Sequence, residues 1–210
     1  MYGNCFLLLR YSVMVLNPND NFIDVKTEPE SFSLSEQENS SYPLQPPLVI
    51  PKGGSSSPEE HTTYIWDNFI SKSAVKNVAF IVHGYGGLVF INLLMQRTAE
   101  VMSKVCGVAL IDSTHHTMHQ TQGNPQVCTW IWKHCQEWVS NSKPLDRPLG
   151  YLVKMDCPTV STGTEKYCLA PSFALQSIFK YLKNTLKTDT KQYFTRSQSA
   201  TQSKRMMKKN

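Results

Sequence analysis

The chain has 210 residues, with 21 Lys and Arg against 16 Asp and Glu and a formal net charge of +5. That length suits one domain with tails, and no stretch approaches the roughly 18 consecutive apolar residues of a membrane span. The first ten residues lack the basic start of a signal peptide, and the six cysteines form no CxxC pair, so the expectation is an unsecreted nuclear and/or cytoplasmic protein with reduced, mostly buried thiols.

In chain order, Phe6–Leu16 reads as a first strand closing on the turn residues Asn17-Pro18-Asn19-Asp20. The Ser-, Pro- and Glu-rich stretch that follows has no periodicity and is expected to be a disordered insertion. Pro58-Glu59-Glu60 opens a helix over Glu60–Ser71, with proline and acids where the helix dipole favours them. Val78–Val82 is a continuous apolar run that suits a strand buried on both faces. His83–Gly87 then forms a glycine-rich turn, and Leu88–Met95 shows helical spacing at Leu88, Ile91 and Met95. Lys104–Ile111 is the next parallel strand, ending in Asp112-Ser113-Thr114-His115-His116. Gln126–Ser140 places Trp130, Ile131, His134, Cys135, Trp138 and Val139 three to four apart, which predicts a helix with an aromatic core face. Cys157–Gly163 reads as a short strand and turn, and Ser172–Leu186 as a closing amphipathic helix behind Pro171. The expected division is a first strand in 1–23, a disordered insertion in 24–58, an α/β core in 59–187 and a basic disordered tail in 188–210. The tail, ending Ser-Lys-Arg-Met-Met-Lys-Lys-Asn, offers a weak electrostatic contact to RNA.

A buried strand, a tight turn and a helix form the place where α/β proteins put chemistry, because backbone N–H groups at the helix start face the crevice. The expected elbow and crevice are lined by His83, Gly84, Tyr85, Gly86, Gly87, Asp112, Ser113, His115 and His116. In the Gly-x-Ser-x-Gly frame of a hydrolase elbow the nucleophile slot holds Gly84. Gly84, Asp112 and His116 are therefore vestigial candidates, with no catalytic residue assigned. A dinucleotide site is weakened by Val89, which stands where a third glycine would let helix and strand approach. His115-His116-x-x-His119 lacks the glutamate of a zinc-hydrolase motif, so neither metal nor cofactor is expected.

Val-Leu-Asn-Pro-Asn-Asp-Asn (Val15–Asn21), Val-His-Gly-Tyr-Gly-Gly-Leu-Val-Phe (Val82–Phe90), Leu-Ile-Asp-Ser-x-His-His (Leu110–His116) and Gly-Thr-Glu-Lys (Gly163–Lys166) together resemble the Arb2 (Argonaute-binding) domain family, and more closely its vertebrate cotranscriptional regulator members. The resemblance implies a partial α/β-hydrolase-like parallel sheet with flanking helices, shortened on its N-terminal side because relatives are about twice as long. It also implies scaffolding with Argonaute-type and chromatin proteins in small-RNA-linked heterochromatin formation or splicing. Family members are expected to carry histidine where this chain has Tyr167. The alternatives are a hydrolase with an unorthodox nucleophile, or a non-functional fragment of a degraded gene copy.

Overall fold

A computed structural model of the chain describes residues 11–25, 48–150 and 156–186. The chain divides into two compact units, Met1–Trp66 and Asp67–Asn210.

In the first unit, β1 (Phe22–Val25) pairs antiparallel with β2 (Leu48–Pro51), Phe22 standing opposite Pro51. This corrects two expectations. Residues 11–16 carry no strand, and the remainder of Phe6–Leu16 lies outside the described residues. Residues 24–25 and 48–51, expected within a disordered insertion, instead form a ladder; 26–47 and the tail from 187 onward lie outside the described residues. A strand forms where a partner exists to satisfy its N–H and C=O groups, and the partner of Phe22-Ile-Asp-Val is Leu48-Val-Ile-Pro. Helix α1 (Pro58–Ile65) starts at Ser57, whose hydroxyl accepts the Glu60 N–H at 3.1 Å. Proline at its first position and Glu59 and Glu60 in its first turn complete the start signal read from the sequence. A π-helical turn, Trp66–Ile70, follows.

The second unit is an α/β layer structure built on a four-stranded parallel sheet in the order β3 (Val78–His83), β4 (Val105–Ile111), β5 (Cys135–Val139), β6 (Thr159–Ser161). Helices α2 (Gly86–Gln96) and α3 (Thr98–Lys104) connect β3 to β4; α4 (Thr117–Gln120) and α5 (Pro125–His134) connect β4 to β5. A 3-10 turn, Tyr167–Leu169, leads into the closing helix α6 (170–186). Every residue of β4 is buried, as an all-apolar run in a two-sided sheet requires. Alternate β4 residues face opposite layers. Ala109 and Ile111 pack with Trp138 of β5 and with Ala170, Ala174, Ile178 and Leu182 of α6. Leu110, between them, points to the other face, where its side chain lies against Gly87 at the start of α2. Phe90 of α2 meets Phe80 of β3 with ring centroids 5.0 Å apart. A bidentate pair ties the C-terminal end of α2 to the π-helical turn: Arg97 Nε and Nη2 donate to Asp67 Oδ1 and Oδ2 at 2.9 and 2.7 Å.

The helix expected over Gln126–Ser140 is two elements. Helix α5 stops at His134, and Cys135–Val139 is strand β5, hydrogen-bonded between β4 and β6. Spacing of three and four continues through Cys135 and Trp138, so the apolar pattern alone does not mark the break. The ladder on both sides of β5 decides it, because two neighbouring strands supply partners that outweigh local propensity.

Candidate functional site

The loops after β3, β4, β5 and β6 converge at the C-terminal edge of the sheet, where crevices form in open α/β folds. Gly84 takes φ +55, a left-handed turn that glycine adopts without cost. Its N–H donates to Ile111 O at 2.9 Å, and its carbonyl accepts from Gly87 N at 3.2 Å and Thr114 N at 3.1 Å. The elbow is therefore bound to the loop after β4 mainly through backbone, and the Thr114 hydroxyl also donates to Gly84 O at 3.5 Å.

Tyr167 closes this elbow. Its ring stacks on His83 with centroids 4.2 Å apart and 28° between the planes. A Cβ built on Gly84 would lie 2.1 Å from the Tyr167 hydroxyl oxygen. The phenol thus occupies the space into which a nucleophile's side chain would project. Asp112, at φ +42, is committed elsewhere: its carboxylate accepts the Ser140 N–H at 2.6 Å and the Ser140 hydroxyl at 2.5 Å. It ties the end of β4 to the end of β5.

Burial lowers the pKa of His83, and the charge of Asp112 opposes that shift without cancelling it. Neutral imidazole is therefore favoured in the folded state. The stability it contributes is complete above the ordinary value of 6.5 and is lost as pH falls from there toward the lower folded value. His83→Phe, which keeps the stack on Tyr167, is expected to flatten this acid limb in urea midpoints measured between about pH 7.5 and 5.5. An unchanged pH slope would remove His83 from the account.

The remaining expected residues separate. Tyr85 is half exposed on the turn, while Gly86 and Gly87 begin α2. A Cβ on Gly87 would fall 1.7 Å from Ser113 Oγ, so glycine is what lets the β4 loop lie over the helix start. Ser113 Oγ is 2.7 Å from His115 Nδ1, and Ser113 N–H donates to Glu137 Oε1 at 3.2 Å. His115 is fully buried, with Nε2 3.6 Å from Asp156 Oδ2. His116 stays at the surface at the start of α4, its ring edge-on to His119 with centroids 6.5 Å apart. The three histidines of His115-His116-x-x-His119 therefore do not converge. The structure brings together His83, Gly84, Asp112 and Ser113 at the crevice and sends His115 inward.

Residues that the sequence reading did not place here are Glu137, Ser140, Asp156 and Cys157. Glu137 was hidden by the expected helix: a lone acid on a helix is a solvated one, whereas mid-strand in β5 it is 3% exposed. Burial, then the charges of Glu137 and Asp156, push the Cys157 thiol well above its usual range. Of the six cysteines, the five in described residues form no disulfide, and Cys106, Cys135 and Cys157 among them are buried. Among the described residues no helix is long and apolar enough to cross a membrane.

The Arb2 domain matches residues 5–145 of the chain. A human protein named ARB2BP is 54% identical over 209 residues, which cover 94% of this chain and 58% of that protein. Human cotranscriptional regulator ARB2A is 36% identical over 212 residues, covering 86% of this chain and 50% of that protein. Its homolog from Xenopus tropicalis is 36% identical over 206 residues, covering 84% and 48%. The chain spans about half the length of the curated relatives it matches. No solved structure matches it.

Proposed function

Because the chain belongs to the Arb2 domain family, we propose that it is a non-enzymatic regulatory scaffold whose closed elbow organises a binding surface. The observation that carries this reading is the Tyr167 hydroxyl in the space of the missing nucleophile side chain at Gly84. With glycine in the nucleophile slot and a half-exposed phenol over it, attack on an acyl carbon from this turn has neither a hydroxyl nor room. Relatives named cotranscriptional regulators support a regulatory setting. Within that setting the partners are Argonaute-type and chromatin proteins, acting in the nucleus in small-RNA-linked heterochromatin formation or splicing. The basic tail adds a weak contact to RNA.

A second reading has one observation in its favour. Ser113 Oγ, His115 Nδ1 and Asp156 Oδ2 lie in sequence at 2.7 and, across the imidazole, 3.6 Å, which resembles a nucleophile-base-acid chain. A fluorophosphonate probe separates the two. The scaffold is expected to remain unlabelled and to turn over no activated ester, while an immobilised purified Argonaute protein retains the chain above a control protein. Labelling that disappears in Ser113→Ala would replace the scaffold with a hydrolase. Absence of both labelling and retention would overturn the Argonaute assignment.

A further inference from the structure

We propose that His115, Glu137, Asp156 and Cys157 form a buried structural site for one zinc-class divalent cation. The residues come from three segments: the loop after β4, the middle of β5 and the turn before β6. Donor atoms of His115, Glu137 and Cys157 all lie within 4.8 Å of one another, and the residues are 0%, 3% and 3% exposed. Asp156 Oδ2 stands 3.6 Å from His115 Nε2. Bond lengths of about 2.0–2.3 Å place the ligands of a tetrahedral zinc site roughly 3.4–3.7 Å apart, so a contraction brings His115, Glu137 and Cys157 to a common ion, and Asp156, at ligand spacing from His115, joins them by a side-chain shift.

The surroundings orient these groups as the outer shell of a metal site does. Ser113 Oγ lies 2.7 Å from His115 Nδ1 and also accepts the His115 backbone N–H at 3.3 Å. With Nδ1–H donating to that oxygen, Nε2 presents its lone pair toward Asp156. In that tautomer a cation between Nε2 and Asp156 Oδ2, 3.6 Å apart, is bound by both. Ser113 N–H holds Glu137 at 3.2 Å, and Thr117 N–H holds Asp156 Oδ2 at 3.2 Å. A thiolate, an imidazole and carboxylates suit zinc, whereas magnesium and calcium take oxygen ligands. An ion held there cross-links the β4 loop to β5 and to the turn before β6, with release of the thiol proton on binding.

The full chain, stripped with a chelator and titrated with Co²⁺, tests this. It is expected to bind about one equivalent, to show a thiolate-to-cobalt charge-transfer band, and to release the cobalt to zinc. Cys157→Ser should abolish the band, Ser113→Ala should weaken affinity about 10–100-fold, and Cys168→Ser, at an exposed cysteine, should change nothing. If Cys157→Ser does not fold, Glu137→Gln removes a charged ligand at nearly constant volume and should lower affinity by at least tenfold. Absence of the band in the stripped wild-type chain, or its persistence in Cys157→Ser, or undiminished affinity in Glu137→Gln, would overturn the site.

Discussion

Truncating Trp138 to alanine is expected to cost about 3–5 kcal/mol, the largest effect of any single substitution considered for this chain. Trp138 is fully buried in β5 and belongs to the cluster that holds α6 on the sheet, with Ala109, Ile111, Ala174, Ile178 and Leu182 around it. Tyr181 meets the indole edge-on at 5.6 Å and 70°. The indole N–H donates to Asp146 Oδ1 at 3.1 Å, and Ser177 of α6 donates to the same carboxylate oxygen. Removing the side chain thus opens a cavity between two layers and withdraws one of the two donors holding Asp146. Trp138→Phe keeps most of the volume and loses the N–H, for about 1–2 kcal/mol. Domains of this size hold only about 5–15 kcal/mol in total, so the alanine variant should sit close to unfolding. Urea denaturation reads both. A loss below about 1 kcal/mol for Trp138→Ala would mean that α6 does not pack on β4 and β5 as described.

The second prediction concerns the elbow. Gly84→Ala is expected to destabilise by about 2–3 kcal/mol, of which roughly 1–2 is the cost of a side chain in the left-handed region. The rest is overlap with Tyr167, whose hydroxyl oxygen lies 2.1 Å from the new Cβ. Tyr167 is half exposed, so its ring can swing aside, which keeps the steric part near the low end of overpacking penalties at the expense of the stack on His83. In a Tyr167→Ala background the steric part vanishes and Gly84→Ala should cost only about 1–2 kcal/mol. This double-mutant cycle isolates the contact between the two positions. An equal cost in both backgrounds would mean that the phenol does not fill the nucleophile's space, and the scaffold proposal would lose the observation that carries it.

How legible these features are differs from one element to the next. Strands β3 and β4 are continuous apolar runs, and the glycine-rich turn between β3 and α2 is unmistakable, so the α/β class and the place of the crevice follow from residues in order. The four motifs from Val15 to Lys166 carry the Arb2 family, which the comparison over residues 5–145 bears out. Strand β5 resists reading because Trp130, Ile131, Cys135 and Trp138 keep helical spacing straight through a break that only a neighbouring strand imposes. The same error concealed Glu137. Strand β1 leaves little signal along the chain because its partner, Leu48–Pro51, is distant in sequence and sits inside a stretch whose composition argues for disorder.

By itself the sequence determined the fold class, the elbow, the family and the absence of a serine at the elbow, since each depends on local periodicity or on residue identity at a fixed spacing. Only the tertiary structure decided what occupies Gly84, because Tyr167 lies 83 positions along the chain and reaches the turn through β6 and the loop after it. The inward turn of His115 and its meeting with Glu137 and Cys157 were likewise settled there. Such contacts arise from strand order and register, which bring distant residues within a few ångströms without leaving a pattern along the chain.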